Sequence, residues 1–524
     1  MTEATLFDGG RVFTGLRYAE SLLVEDGQVV AVGSADEVRR SVPTGAERRP
    51  LDGRLVIPGL IDAHLHLPDL TRQREGLDLG RVTSIDELVT VVREWASGHS
   101  GGGITARGWD PERSADRAWA SRHDLDRAER ERPVLVVHAS GHAGVANSAA
   151  LERAGVRPGT ADPPGGRIGR APDGRPDGRL FESALAEFVG RPDDLQLPDA
   201  AALGRTVRWC AALGLTTLGA MSVAPEEAAA YRAMESSGTL PLRVRAYLHA
   251  RRWRAGDRPS FDAADRGRRF AIVGVKTYAD GAFGTRTAWL STPYSDDPGN
   301  SGMPVVEEEE LAAIALAAGE HGLAPAIHAI GDRALDAAVS ALGRSRANAP
   351  APARIEHAAL TPPTTWPALD RVRPVLVVQP GFVWSDHWLL SRLGPERVRW
   401  AYAFRTLLGR GLIVAGSSDA PYDPVDPWRG IRAAVERTDP AGRSANPTAQ
   451  EALTLERAVQ LYTANGGVAL GEPGLGTLEA GAPADLVVTT VPTLDAAVRT
   501  GAASVGETWA AGRRLTTGPD AQTV

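Results

Sequence analysis

From residue 200 onward, short apolar runs alternate with amphipathic stretches. The runs at 215–220, 243–248, 272–278, 324–329, 354–358, 375–379 and 412–416 read as buried strands. Helical periodicity fills most of the gaps between them. The stretch 307–322 shows the pattern in full. Glu307, Glu308, Glu309 and Glu310 open the first turn, His321 stands near the end, and Gly322 is placed as the cap. Another apolar run, 60–66, precedes the series and brings the strands to eight. Eight strands alternating with helices predict an α/β fold, a (β/α)8 TIM barrel over 57–469.

The two chain ends read differently. Apolar runs at 21–25 and 28–32 flank Asp26-Gly27, a strong hairpin signal. Residues 475–517 return to short runs around glycine turns. Neither end has enough strands to stand alone. Residues 1–56 and 470–524 are therefore expected to meet as one small β-sandwich. Residues 67–200 are less regular. Gly101-Gly102-Gly103 and the tract from Pro163 to Gly178 are loop-rich, with one clear strand at 133–138 between them. This region is expected to be an insertion after strand one that folds beside the barrel.

Composition narrows the function classes. Hydrophobic residues make up 43% and charged residues 23%, and the net charge of -7 comes without a basic tract, so nucleic acid and anionic membrane are excluded as expected partners. No apolar run approaches the ~20 residues that span a bilayer. The N-terminal residues lack the charged and apolar regions of a secretory signal, so a cytoplasmic location is expected. The single cysteine, Cys210, allows neither an intrachain disulfide nor a cysteine-based zinc site.

One cation stands out. Lysine and arginine together number 58, and only Lys276 is lysine. It lies inside the apolar run Ile272-Val273-Gly274-Val275-Lys276, with Gly274 on one face and the valines on the other. A lysine can lose its proton when buried, act as a nucleophile or take up CO2, and arginine can do none of these.

Barrel chemistry sits at the C-terminal ends of the strands. There the sequence places His64 and His66 on strand one, Lys276 on strand four, His328 on five, His357 on six and Asp419 after eight. Alone, each has an ordinary explanation, as a core histidine or a helix cap. Together, at the ends of successive strands, they read as a metal site of histidine and carboxylate ligands.

Several stretches carry a family resemblance. Pro58-Gly59-Leu60-Ile61-Asp62-Ala63-His64-Leu65-His66 resembles the strand-one motif of the amidohydrolase superfamily. Gly476-Thr477-Leu478-Glu479-Ala480-Gly481-Ala482-Pro483-Ala484-Asp485-Leu486-Val487-Val488 resembles its C-terminal sandwich signature. The stretches Val275 to Ala288 and Ile327 to Ala334 resemble the third amidohydrolase family, which includes N-substituted formamide deformylases. Gly141-His142, Asn147-Ser148 and Gly165-Gly166-Arg167 fit its insertion.

The resemblance implies a metal-dependent hydrolase of non-peptide C–N bonds acting on a small molecule. It implies two divalent ions, zinc by ligand type. His64, His66 and Asp419 would hold one, His328 and His357 the other, and Lys276, carboxylated by CO2, would bridge them. A metal-activated hydroxide would attack, with Asp419 as general acid/base. It also suggests a homodimer. Two alternatives remain: a one-metal deaminase or isomerase of the superfamily, in which Lys276 is no ligand, and a non-catalytic metal-binding barrel. Substrate-binding candidates are Trp109 and His142 in the insertion, Tyr278, Phe283 and Arg286 after strand four, and Trp384 after strand seven. Core or lid packing is the alternative for each aromatic.

Overall fold

All eight apolar runs form strands of one parallel sheet in the computed structural model, which describes residues 4–99, 102–114, 117–188, 199–255, 268–345, 351–446 and 448–517. Gly101, residues 189–198 of the insertion and residues 518–524 of the C-terminal end lie outside the described residues. The strands are β1 (Leu60–Leu65), β2 (Leu215–Val223), β3 (Arg243–His249), β4 (Phe270–Tyr278), β5 (Ala324–Ala329), β6 (Arg354–His357), β7 (Val375–Val378) and β8 (Val414–Gly416). Their order in the sheet follows their order in the chain. The last strand meets the first at the C-terminal rim. There the Asp419 N–H donates to the His64 carbonyl at 2.8 Å, and the His66 N–H donates to the Ala420 carbonyl at 2.7 Å. These bonds close the barrel where its chemistry is expected.

The faces of β4 sort as the alternation requires. Val273 and Val275 are fully buried in the core shared by barrel and helices. Each contributes about 1.5–3 kcal/mol of apolar burial. Gly274 and Lys276 face the axis. A Cβ on Gly274 would lie 2.3 Å from Cδ1 of Tyr247 and 2.4 Å from the Ala324 carbonyl oxygen. Tyr247 fills the axis at that level, and only glycine leaves it room.

The chain ends build two sheets. One orders Gln28–Gly33, Ser21–Glu25, Ala4–Asp8 and Glu47–Pro50. The Asp26-Gly27 turn between the first two has positive φ at both residues, 48° and 81°, as a two-residue hairpin of this type demands. The other sheet mixes both ends: Leu486–Thr489 pairs antiparallel with Leu55–Pro58, placing Val487 opposite Ile57. Phe7 from one end meets Trp509 from the other edge-to-face at 5.4 Å, inside one shared apolar cluster.

The insertion is more ordered than its composition suggests. It contains a six-stranded sheet ordered Gly166–Arg170, Pro176–Glu182, Ala143–Ala146, Val134–His138, Ile104–Trp109 and Leu77–Asp78. Leu79, Leu88, Val92, Trp109, Val134 and Val136 share a separate core beneath it. Strands such as Ile104–Trp109, Gly166–Arg170 and Pro176–Glu182 mix Gly and Arg with their apolar residues, so no continuous apolar run marks them. Among the described residues, no helix is long and apolar enough to cross a membrane.

Candidate metal centre

Asp62, His64 and His66 share the axial face at the end of β1. Asp62 ties that strand to the loop after β8. Its Oδ1 accepts the Ser418 N–H at 3.1 Å and the His64 N–H at 3.2 Å, and its Oδ2 accepts the Ser418 hydroxyl at 2.5 Å. Burial raises the Asp62 carboxyl to about 6, against these hydrogen bonds. The clamp sets Asp419 against the two histidines: its Oδ1 lies 3.1 Å from His64 Nε2 and 3.3 Å from His66 Nε2.

A buried relay fixes His64 from behind. Its Nδ1 lies 2.6 Å from Glu356 Oε2. Glu356 in turn accepts Arg354 Nε–H at 2.5 Å and Nη2–H at 2.8 Å. Burial alone would raise the Glu356 carboxyl, but the Arg354 guanidinium and His64 outweigh it and hold it below the usual carboxylate range. An ionised Glu356 takes the Nδ1 proton's hydrogen bond and turns the Nε2 lone pair toward Asp419.

The other two histidines are oriented by similar means. His357 Nδ1 lies 2.7 Å from Gln379 Oε1, while Gln379 Nε2 donates to the Ser417 hydroxyl at 3.0 Å. That amide orientation makes Nδ1 the donor and leaves Nε2 free. His328 Nε2 lies 3.0 Å from the Gly281 carbonyl, which leaves its Nδ1 as the free nitrogen. The rings of His328 and His357 are 4.4 Å apart, those of His64 and His357 5.1 Å, and those of His64 and His66 5.4 Å. Burial pushes His357 down to about 3 and His328 well below its ordinary value, so both are neutral and able to act as ligands. Asp280, buried beside them, accepts the N–H groups of Trp289, Ile330 and Gly331 and anchors the loop after β5.

Lys276 is fully buried. Its Nζ lies 4.0 Å from the Tyr278 ring centre. The ring face favours the ammonium, yet burial prevails and lowers the group to about 8. Lys276 Nζ, His64 Nε2 and Asp419 Oδ1 are buried, and none makes a hydrogen bond. An imidazole lone pair against a carboxylate oxygen is unfavourable unless a proton or a cation lies between them. For His64, burial lowers the pKa, but Asp419 and Glu356 reverse the net shift upward, which shows how strongly the site draws positive charge. The donor set is of histidine and carboxylate type and fits a divalent cation.

The ligand atoms of His64, His357 and Asp419 all lie within 4.8 Å of one another. His357 thus stands between the trio expected for one ion and His328, expected for the other. His357 and Asp419 both take left-handed φ, 70° and 60°, and hold it against a backbone penalty.

The expected pocket residues separate into two groups. His142 and Tyr278 reach the centre: the His142 ring is 5.0 Å from His328 and that of Tyr278 5.2 Å. The others sit in packing environments. Trp109 is buried in the insertion core against Trp119, Phe283 lies in the main core, and Trp384 packs near the guanidiniums of Arg429 and Arg432. Arg286 is paired with Asp296 at 2.9 Å, as an internal ion pair.

Glu356, Arg354 and Gln379 were not legible as site residues, nor was Glu182, which holds His142. In a regular strand, Glu356 and His357 face opposite sides. The left-handed φ at His357 breaks that alternation and lets both serve one centre. The charged pair Arg354 and Glu356, two positions apart and so on one face of the strand, was the available signal.

The sequence profile described as the amidohydrolase family matches residues 50–516. The chain belongs to the amidohydrolase family. Among its relatives, the amidohydrolase-class protein YtcJ of Bacillus subtilis strain 168 is 32% identical over 513 residues, covering 92% of this chain and 93% of YtcJ. The N-substituted formamide deformylase of Arthrobacter pascens is 27% identical over 499 residues, 90% of each chain. A solved metal-dependent hydrolase from Pyrococcus horikoshii OT3 superposes with a TM-score of 0.76 at 30% identity, covering 94% of this chain and 99% of that one. For an amidohydrolase, a metal centre at the C-terminal rim of the barrel is where the present geometry converges.

Proposed function

We propose that this amidohydrolase cleaves a non-peptide C–N bond of amide or formamide type. The centre would hold two divalent ions, zinc by ligand type, on His64, His66, His328, His357, Asp419 and a carboxylated Lys276. The observation that carries this reading is the set of buried donor atoms at the barrel rim: Asp419 Oδ1 lies 3.1 Å from His64 Nε2 and 3.3 Å from His66 Nε2, and His64 Nε2, Asp419 Oδ1 and Lys276 Nζ are all buried without a hydrogen bond. The likeness to an N-substituted formamide deformylase supports the bond class.

Divalent ions at such a centre lower the pKa of bound water from 15.7 to about 7 and polarise a carbonyl oxygen. The residues of the chain do the rest. Although burial opposes it, His64 and His66 hold the Asp419 carboxyl well below its ordinary value, so it is ionised and able to accept a proton at Oδ1. It then returns that proton to the leaving nitrogen as general acid. Glu356 keeps His64 in one tautomer, and Gln379 does the same for His357.

Lys276 needs to be neutral to react with CO2. With burial lowering it to about 8, roughly a tenth is free amine at pH 7. The amine attacks the carbon of CO2, an Nζ–C bond forms, one C=O π pair moves to oxygen, and the proton lost from nitrogen passes to water. The resulting carbamate offers two oxygens that share one negative charge, where an ammonium would repel cations.

Metal content measured together with activity on a panel of N-formyl amines, N-acyl amines, esters and lactones tests the proposal. Two ions per chain, a carbamate carbon resonance after growth in 13C-bicarbonate, and turnover of a formyl or acyl amine are expected. One ion with unmodified Lys276 supports the one-metal deaminase or isomerase reading, which the compact His64, His357 and Asp419 trio would also suit.

A further inference from the structure

We propose that His142, carried into the barrel mouth by the insertion, contacts the polar head of the bound amide, with Glu182 as its positioning residue. This rests on the hydrolase reading above. The insertion's topology makes the pair. His142 immediately precedes the strand Ala143–Ala146, and Glu182 ends its antiparallel neighbour Pro176–Glu182, with Ala143 opposite Phe181. The two side chains meet at the shared end: His142 Nδ1 lies 2.8 Å from Glu182 Oε2, and the Glu182 N–H donates to the His142 carbonyl at 2.9 Å.

The pair is fastened to the strand that carries Lys276. The other oxygen of Glu182 accepts the Thr287 hydroxyl at 2.6 Å, in the loop after β4. A Cβ on Gly281 in that loop would lie 2.1 Å from Glu182 Oε1 and 2.1 Å from Thr287 Oγ1. Glycine is what admits the carboxylate there. Glu182 itself takes a left-handed φ of 52°, rare for such a residue, and the surrounding bonds hold it in place.

The dyad faces the reacting region. His142 stands 5.0 Å from His328 and 6.3 Å from Tyr278, ring centre to ring centre. Its side chain is 16% exposed, whereas those of His64 and His328 are 0% and 1% exposed. His66 and Asp419 are 10% exposed each, so His142 is the most open of these site histidines. Its Nδ1 is engaged by Glu182, and Nε2 is the ring nitrogen left for a ligand.

If the pair served only to dock the insertion, the Thr287–Glu182 bond would suffice and the imidazole would add little. Orienting the ring through Nδ1 has a consequence only where something is recognised at Nε2. A hydrogen-bonding amide or formamide head fits that position.

Acetohydroxamic acid tests this without knowledge of the substrate, because it offers both an N–H and oxygen atoms beside a metal. The full-length cobalt(II)-loaded protein is titrated, and the visible absorption change gives Kd. His142→Ala is expected to keep its cobalt content and melting temperature and to bind about tenfold more weakly, the size of one hydrogen bond to a charged group. His142→Asn carries the same expectation should the alanine variant fail to fold. Glu182→Ala is expected to weaken binding similarly, to lose that effect in a His142→Ala background, and to be partly rescued by Glu182→Gln.

An unchanged Kd in both His142 variants overturns the contact, and loss of cobalt makes His142 a ligand instead. A Glu182 effect that persists without His142 overturns the positioning role. A cobalt-loaded wild type that does not respond to hydroxamate overturns the hydrolase reading itself, and this inference with it.

Discussion

Glu356→Gln tests the relay behind the metal centre. The substitution keeps the shape of the side chain and removes one charge. Glu356 and Arg354 are both 0% exposed. Arg354 also donates to the Ala63 carbonyl at 2.8 Å, the Tyr247 hydroxyl at 3.2 Å and the Ala469 carbonyl at 3.3 Å, so it cannot swing out to water. Stranding one member of a buried pair costs about 3–5 kcal/mol. Losing the carboxylate behind a metal-ligating histidine costs about 10–100-fold in metal affinity, or about 1.4–2.7 kcal/mol. Urea denaturation of the metal-free protein measures the first effect, and competition against a chelator measures the second.

The pH dependence has a fixed sign. The folded carboxyl is held below its ordinary value, so its contribution is complete above the unfolded pKa near 4.3. It is lost as pH falls through the folded value. The stability gap between wild type and Glu356→Gln should be widest between about pH 5 and 6, narrow below about pH 4 as the carboxylate protonates, and narrow again above about pH 6.5 as His64, whose pKa Glu356 helps to raise, loses its proton. Arg354→Met provides the contrast. It strands the carboxylate and lowers stability comparably, but it leaves the His64–Glu356 contact and so spares more of the metal affinity. Metal-free stability within about 1 kcal/mol of wild type, together with unchanged metal affinity in Glu356→Gln, would refute the relay.

Lys276→Ala should lose metal and activity, with partial rescue by short-chain carboxylates; Lys276→Arg should fail as well, and full metal loading with normal turnover in either would sink the carbamate assignment. Asp419→Ala should lower kcat by about 10²–10⁴-fold in steady-state assays, whereas undiminished function would favour a non-catalytic barrel. Gly281→Ala drives a methyl group to 2.1 Å from Glu182 Oε1 and should cost about 1–3 kcal/mol, read as a lower melting temperature. Prolonged dialysis against a strong chelator should abolish turnover, and Zn2+ should restore it.

The barrel was legible because its strands are fully buried. A buried parallel strand is a continuous apolar run, and each of the eight carried one. The paired chain ends followed from a strand count too small for independence. The insertion escaped because strands such as Gly166–Arg170 and Pro176–Glu182 are partly exposed and interrupt their apolar positions with Gly, Arg and Asp, so they carry no continuous apolar run. Of the residues proposed for the site, those at regular strand ends, such as His64 and Lys276, stood out in the pattern. Glu356 did not, because its role depends on a backbone turn at His357 that reverses the alternation. Glu182 did not either, because only the folded insertion brings it to His142.

These two groups of residues have different physical jobs, and that decides which of them a sequence reveals. A metal ligand must present a donor atom at the barrel axis, so its type and strand position are both constrained. A residue that orients a ligand needs only to reach it from wherever the fold permits. Arg354, Glu356 and Gln379 reach from neighbouring strands, whereas Glu182 reaches from a separate sheet. Lys276 is the exception that joins the two groups. Burial makes it a poor cation, and the carboxylates of Glu356 and Asp419 only partly offset that loss. The proposed carbamate would exchange that disfavoured ammonium for an anion able to face a divalent ion, and the Lys276→Ala rescue by short-chain carboxylates is the result that decides it.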